Sequence, residues 1–183
     1  MSIADKTILI TGASRGIGRA LADEALRRGA KRVYAAARRP AAYADERVTP
    51  LTLDVTDEAQ VRAAAERVGS LDILVNNAGL ALYEGLGDRA TLERHLAVNL
   101  FGTHAMTEAF LPALIRSGGA IVNNLSLNSL APLPVLAAYS VSKAAAFSLT
   151  LDRPGNPRGC ETWEDAGSWW DSGSIRRSCV NAR

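Results

Sequence analysis

The sequence is poor in the residues that build disulfides and metal sites, and its net charge is small. It has two Cys, both after Gly159, and two His in 183 residues. Two cysteines give neither a disulfide framework nor a metal-binding spacing. The net charge of +2 offers no electrostatic basis for binding nucleic acid or an anionic membrane. We therefore expect a reduced, cytoplasmic protein with no metal, nucleic-acid or membrane partner.

Long apolar runs are also scarce, and none is expected to reach the length of a bilayer span. The N-terminal stretch "MSIADKTILITG" contains an acidic residue and leads straight into a strand pattern, unlike a signal peptide. A chain of 183 residues fits one domain with a substantial core.

What the sequence does contain, through residues 1–150, is a regular alternation of apolar runs and amphipathic segments. The predicted strands are "TILIT", "RVYAAA", "VTPLTLDV", "LDILVNNAG" and "GAIVNNLS". These runs are apolar throughout, as in a parallel sheet covered on both faces. Strand and helix alternation therefore predicts an α/β fold with a doubly wound, Rossmann-like parallel sheet.

The helices between these strands have recognisable ends. Gly29 stands where the first helix should finish, and Thr56 is predicted to cap the second, which covers "DEAQVRAAAERVG". One long helix is predicted over residues 91–115, and another begins near Ala137.

Residues 151–183 differ from the rest of the chain. They contain all three Trp and both Cys but only three Leu, Ile or Val, too few for a buried strand. We expect residues 1–150 to form one Rossmann-type domain, followed by an atypical tail whose tryptophans form a binding patch, collapse onto an apolar surface or stay disordered. The fold's C-terminal strands would be missing or replaced, leaving the fifth strand as an apolar, unpaired edge. Out-of-frame translation, natural divergence and an expression scar are the open explanations.

The stretch "TGASRGIG" lies where the first strand meets the first helix. Gly12, Gly16 and Gly18 permit a tight turn in which backbone N–H groups approach a pyrophosphate at the positive end of the helix. Ser14, Arg15 and Ile17 complete the predicted phosphate-binding turn. An ordinary glycine-rich turn is the alternative, although the placement between strand and helix favours a nucleotide site.

The end of the second strand indicates which nucleotide. An NAD-binding fold uses an acidic residue there to bind the ribose hydroxyls, whereas this chain has Ala37 followed by Arg38 and Arg39. A guanidinium can bind a 2′-phosphate through two hydrogen bonds, and Arg15 is expected on the same side. The pattern favours NADP over NAD, against the alternative of solvated surface arginines.

Four features together resemble the short-chain dehydrogenase/reductase family over residues 5–150: "TGASRGIG", "NNAG", Ser126 and "YSVSK". Ser126 precedes Tyr139 by 13 positions, as in the family, and Asn99 matches the family's catalytic asparagine. The resemblance implies an NAD(P)-dependent oxidoreductase that interconverts a carbonyl and an alcohol of a small-molecule substrate by hydride transfer.

The proposed chemistry also follows from the residues themselves. Tyr139 and Lys143 are one helical turn apart and share a face. A nearby positive charge favours an ionised phenol, which makes Tyr139 a usable general acid or base. The hydroxyl of Ser126 can hold the substrate oxygen.

Further roles come from the resemblance alone. It implies that Lys143 binds the nicotinamide ribose and that Asn99 holds a water in a proton relay. It assigns Asp54, with Val55 beside it, to the adenine ring. It also places Asn77 on the adenosine side of the cofactor and includes Ala78 and Gly79 among the cofactor-binding residues. The family's dimers and tetramers imply a homo-oligomer, which the altered C-terminus would impair.

Two functional hypotheses remain at this point. The first is the NADP-dependent oxidoreductase. The second is a catalytically impaired nucleotide-binding fragment or binding module of the same fold, because the segment that would cover the nicotinamide and substrate is not recognisable after Thr150.

Overall fold

The computed structural model describes residues 2–83, 88–151 and 177–179. Strands are β1 Thr7–Thr11, β2 Arg32–Ala37, β3 Val48–Thr52, β4 Ile73–Asn76, β5 Ala120–Asn123 and β6 Arg177–Cys179. Helices are α1 Gly16–Arg27, α2 Glu58–Val68, α3 Arg89–Leu96, α4 Thr103–Ser117 and α5 Ala137–Leu151. A π-helical segment, Ala97–Gly102, joins α3 to α4, and short 3₁₀ turns at Leu127–Ser129 and Pro134–Leu136 precede α5.

The sheet has the strand order β3-β2-β1-β4-β5-β6, and the first five strands in the chain pair in parallel. The chain moves outward from β1 through β2 to β3, then returns to β4 on the other side of β1. The direction of winding therefore reverses between β1 and β4. At such a point the carboxyl ends of the strands diverge and open a crevice. The predicted doubly wound fold is confirmed.

Apolar side chains cover both faces of the sheet, as the unbroken apolar strands predict. On β1, Leu9 points into a core with Met106 and Phe110 of α4. Its neighbours Ile8 and Ile10 point into a second core with α1. Successive residues of a strand face opposite sides, so β1 is fully buried between two helical layers.

The edge strand β3 carries Pro50 in its middle, opposite Ala35 of β2. Leu53 directs its N–H inward to the carbonyl of Ala37. Because N–H groups alternate in direction along a strand, the nitrogen of Pro50 lies on the outer side. Proline is tolerated on an edge because no ladder bond is lost there.

Two helix predictions need correction. Asp57, not Thr56, caps α2, and its carboxylate accepts from the N–H groups of Ala59 and Gln60. The helix predicted over residues 91–115 is present from Arg89 to Ser117, but it is not α-helical throughout, because the π-helical segment Ala97–Gly102 separates α3 from α4. At Gly102 the segment packs so closely on Val55 that a Cβ there would lie 2.6 Å from Val55 Cγ2.

The expectation of an unpaired fifth strand is also wrong. β6 pairs antiparallel with β5, placing Cys179 opposite Ala120 and Arg177 opposite Val122. A three-residue edge strand is held by backbone hydrogen bonds and needs no apolar run, so apolar periodicity could not reveal it. The predictions about the three tryptophans concern residues outside the described part of the chain.

Residues 134–151 form one helical stretch that is long and apolar enough to cross a membrane by length and composition, with a mean hydropathy of 1.2. The expectation that no run reaches this length is therefore wrong. The reason is the density of Ala, Leu and Val around a single charge, Lys143. This is weak evidence of a membrane span, because core helices pass the same test.

Candidate active site

A cavity of approximately 1240 Å³ opens at the carboxyl ends of the parallel strands. It is lined by every predicted cofactor-binding residue and by three of the four predicted catalytic residues: Gly12, Ser14, Arg15, Gly16, Ile17, Gly18, Arg38, Asp54, Val55, Asn77, Ala78, Gly79, Ser126, Tyr139 and Lys143. The crevice expected from the strand order is therefore where the sequence motifs meet.

The glycine-rich turn between β1 and α1 is shaped by two close approaches. Gly12 has a φ of +69°, and a Cβ there would lie 3.0 Å from the Cα of Ala78. A Cβ on Gly18 would lie 2.3 Å from the carbonyl oxygen of Gly12 and 2.6 Å from Nδ2 of Asn77. Both positions therefore require glycine, and the turn packs tightly enough to bring its backbone to the cavity wall.

The amino end of α1 differs from those of α2 and α3. Asp57 and Asp88 cap α2 and α3 with their carboxylates, whereas Arg15 at the start of α1 makes no side-chain cap and the first turn has no acidic residue. The first N–H groups of α1 thus have no side-chain acceptor among the described residues. A helix start with free N–H groups and no negative charge suits a phosphate.

Three arginines line the same end of the cavity: Arg15, Arg38 and Arg39. They form no ion pair with any described residue, although six other described arginines do. Ala37 ends β2 and is almost fully buried. The structure therefore places positive charge, and no carboxylate, where the second strand ends.

Asp54 lies at the cavity wall beyond β3 and is held by its own turn. Its Oδ1 accepts from the N–H and hydroxyl of Thr56, at 3.0 Å and 2.8 Å. Its N–H donates to Oε1 of Gln60 at 2.9 Å. These bonds fix the turn and place Val55 beside Asp54 on the same wall.

A polar network connects the glycine-rich turn to Lys143. Thr11 accepts from the N–H groups of Asn77 and Ala78, each at 2.9 Å. Asn77 donates to the carbonyl of Thr11 and accepts from Asn124, both at 2.9 Å. The carbonyl of Asn124 accepts from Nζ of Lys143 at 2.8 Å. The sequence analysis missed Thr11, which ends the predicted first strand, and Asn124, which lies two residues before the end of the predicted fifth strand.

Tyr139 and Lys143 face the cavity from the first turns of α5, and the ammonium lies 5.8 Å from the centre of the phenol ring. Lys143 is 7% exposed, and burial lowers its pKa to about 8. The ammonium therefore loses its charge far more readily than that of an exposed lysine. A group that titrates near neutral pH can take part in proton transfer.

Ser126 follows β5 and begins the turn Leu127–Ser129. Its Oγ accepts from the N–H of Asn128 at 3.2 Å, and the hydroxyl donates to no described group. The side chain is thus oriented by the turn while its hydrogen is available for an oxygen atom in the cavity.

Asn99, the fourth predicted catalytic residue, lies behind the cavity wall. It is 1% exposed and does not line the cavity as the structure describes it. Its amide exchanges two hydrogen bonds with the backbone of Leu80 and donates to Ser142 at 2.8 Å. The side chain therefore joins the loop after β4 to the residue just before Lys143.

His95 supports the same wall from α3. Its Nε2 accepts from the N–H of Leu82 at 3.1 Å, and its Nδ1 lies 2.8 Å from the carbonyl of Thr91. A neutral ring protonated on Nδ1 satisfies both contacts. The ring also meets Tyr139 edge-on, with centroids 6.2 Å apart. Nδ1 therefore fixes the ring on its own helix, Nε2 holds the loop at Leu82, and the ring itself packs against Tyr139.

Comparison with known proteins assigns the chain to a family. The profile described as short chain dehydrogenase matches residues 6–153. Sorbitol dehydrogenase of Cereibacter sphaeroides is 40% identical over 163 residues, covering 82% of this chain and 64% of the relative. The NADPH-dependent 1-acyldihydroxyacetone phosphate reductase of Schizosaccharomyces pombe is 41% identical over 166 residues, covering 81% of this chain and 54% of the relative.

Solved structures agree. A short chain dehydrogenase from Burkholderia cenocepacia, determined in complex with NADP, superposes with a TM-score of 0.80 at 40% identity, covering 82% of this chain and 65% of that one. The chain belongs to the short-chain dehydrogenase family. It spans roughly half to two thirds of the length of these relatives.

The buried charge of Lys143 should cost stability at neutral pH. The folded pKa of about 8 lies below the ordinary 10.5, so the penalty is fully present below pH 8 and fades as pH rises to 10.5. The difference between these two pKa values corresponds to a burial penalty of about 3 kcal/mol. Replacing Lys143 removes this penalty but also removes the hydrogen bond to Asn124, which offsets part of the gain. Lys143→Met should therefore raise the free energy of unfolding at pH 7 by about 1–3 kcal/mol, and by less at pH 9.5.

Urea unfolding at the two pH values measures this difference. Lys31→Met is the matched control, because Lys31 is exposed and its replacement should change stability little at either pH. A destabilised Lys143→Met at pH 7 would contradict the assignment of a burial penalty.

Proposed function

We propose that the protein is an NADP-dependent oxidoreductase that interconverts a carbonyl and an alcohol by hydride transfer. One observation carries the proposal. Ser126, Tyr139 and Lys143 open into the same cavity as the glycine-rich turn and Arg38. Groups suited to proton transfer and groups suited to nucleotide phosphates therefore share one site.

The cavity fits a phosphorylated dinucleotide along its length. The uncapped start of α1 suits the pyrophosphate. Arg38 and Arg39 suit a 2′-phosphate, with Arg15 nearby. Asp54, Val55 and the segment Asn77–Gly79 would hold the adenosine portion. Two relatives support NADP as the cofactor, since one is described as NADPH-dependent and the other was solved in complex with NADP. When bound, NADP supplies the hydride chemistry.

Side chains of the protein would carry out the proton transfer that accompanies hydride transfer. Ser126 would donate a hydrogen bond to the carbonyl oxygen, and Tyr139 would give that oxygen its proton in the direction of reduction. Lys143 would contribute its charge to the same site, since its ammonium lies 5.8 Å from the centre of the Tyr139 ring. Asn99 would act indirectly, by holding Leu80 and Ser142 on either side of the site.

We further propose a small-molecule carbonyl or alcohol substrate, a cytoplasmic location and a homo-oligomer limited to a dimer. The exposed apolar side chains of Phe101, Ile115 and Val141 support helix-mediated association. Light scattering of the purified protein should give a dimer at most, and a stable tetramer would contradict this.

Cofactor choice should depend on Arg38. Charge-assisted hydrogen bonds contribute about 1.5–3 kcal/mol, so Arg38→Asp should weaken NADPH binding about tenfold or more and narrow or reverse the preference over NADH. Fluorescence titration with each nucleotide gives both affinities. Arg32→Asp is the control, because Arg32 is exposed at the opposite end of the same strand. Equal affinities for NADPH and NADH in the unaltered protein would contradict the proposed role of Arg38.

Turnover should depend on the hydroxyl of Tyr139. General acid catalysis contributes about 100-fold or more, so Tyr139→Phe should lower the rate of NADPH oxidation by at least that factor. Cofactor affinity should change little. A panel of aldehydes and ketones provides the assay, and Tyr34→Phe, on β2 and outside the cavity lining, is the control. NADPH binding without turnover of any panel member would favour the nucleotide-binding module instead.

A further inference from the structure

The loop that follows β2 is tied to the glycine-rich turn by a side-chain clamp, formed by Tyr43 and Arg19. The hydroxyl of Tyr43 donates to the carbonyl of Ala13 at 2.6 Å. The guanidinium of Arg19 lies 3.9 Å from the centre of the Tyr43 ring, and its Nη1 donates to the carbonyl of Ala42 at 3.2 Å. Both residues therefore reach across from one segment to the other.

Each member of the clamp is fixed by a further contact. Asp23, one turn along α1, accepts from Nε of Arg19 through both carboxylate oxygens at 3.4 Å. Ala13 is 1% exposed and donates its N–H to the carbonyl of Ala36 at 3.0 Å. Burial raises the pKa of the Tyr43 phenol, which keeps the hydroxyl as a donor. The turn is thus tied to β2 directly and to the following loop through Tyr43.

The clamp joins the two segments that carry Arg15, Arg38 and Arg39. Ala13 lies two residues before Arg15, and Tyr43 lies shortly after Arg38 and Arg39. Neither Tyr43 nor Arg19 is among the described residues that line the cavity. Any effect they have on a ligand must therefore pass through what they position, which is either the glycine-rich turn or the arginines.

We propose that Tyr43 and Arg19 are positioning residues for cofactor discrimination. By holding the loop of residues 38–43 against the glycine-rich turn, they keep Arg38 and Arg39 on the same side of the cavity as Arg15. A 2′-phosphate is then bound from two segments at once. The inference rests on the proposed binding of NADP and adds to it the residues that set the preference over NAD.

A merely structural clamp would behave differently. Loosening it would lower the melting temperature and weaken every nucleotide alike, because the glycine-rich turn contacts all of them. A positioning clamp acts on the arginines, so its loss should weaken only ligands that carry a 2′-phosphate. The selectivity ratio is therefore the informative measurement.

Tyr43→Phe removes the hydroxyl but keeps the ring, and Arg19→Lys keeps the charge but removes the planar stack. Isothermal titration of each variant with NADPH, NADH, 2′,5′-ADP and 5′-AMP tests the proposal without any turnover. Loss of one hydrogen bond corresponds to a decrease in binding affinity of about threefold to tenfold. We expect that loss for NADPH and 2′,5′-ADP, with NADH and 5′-AMP unchanged.

Tyr34→Phe and Arg28→Lys are the matched controls. Tyr34 packs against the core on the far side of the sheet, and Arg28 pairs with Glu24 at the end of α1. Neither control should change the ratio of NADPH to NADH affinity.

The remaining outcomes distinguish failure of the clamp proposal from failure of the proposed NADP binding on which it rests. If the unaltered protein prefers NADPH but both variants keep its selectivity, or lose all four ligands equally, the clamp proposal is overturned and the cofactor assignment stands. If the unaltered protein has no preference for NADPH, the cofactor assignment and the clamp proposal both fall.

Discussion

The hydrogen bond from the buried ammonium of Lys143 to the carbonyl of Asn124 is the constraint on which the site depends. A charge in a poorly hydrated place must be held by nearby polar groups, and Asn124 provides one. The side chain of Asn124 in turn holds Asn77, which holds the end of β1. The position of the ammonium is thus linked, bond by bond, to the turn that would receive the pyrophosphate. Strand order explains this link, since β1, β4 and β5 are neighbours in the sheet.

The cations at the two ends of the cavity differ in burial and in how readily they lose their charge. At one end Lys143 is buried, and burial lowers its pKa to about 8, so the protein holds a charge that is easily given up. At the other end Arg38 and Arg39 are exposed, and their charge is permanent. An easily discharged cation suits proton transfer, whereas permanent cations suit the lasting charge of a phosphate. One cavity can therefore combine chemistry and recognition, because Lys143 is bonded just beyond β5 whereas Arg38 and Arg39 follow β2, with β1 and β4 between these strands.

The positions of the motif residues could be predicted from the sequence, because spacing along a single element sets them. The glycines of the turn, Ala37 at the strand end and the Tyr139–Lys143 pair all follow from spacing along one element. Contacts between distant segments could not be predicted in this way. The bond from Tyr43 to Ala13 spans thirty positions, and no periodicity marks its partners. The π-helical segment and the three-residue strand β6 were missed for a related reason, since backbone geometry and pairing define them, not the apolar pattern.

Pro50 has a consequence for how copies of the fold can meet. Its nitrogen, which carries no hydrogen, lies on the outer side of the edge strand β3. A strand approaching that edge from another molecule would find a donor missing at the centre of the ladder. Continuous sheet extension, the route by which exposed edges template aggregates, is interrupted there. On the β3 side, a contact with another molecule would therefore have to be made by side chains, whose shapes can be selected more specifically than a row of backbone amides.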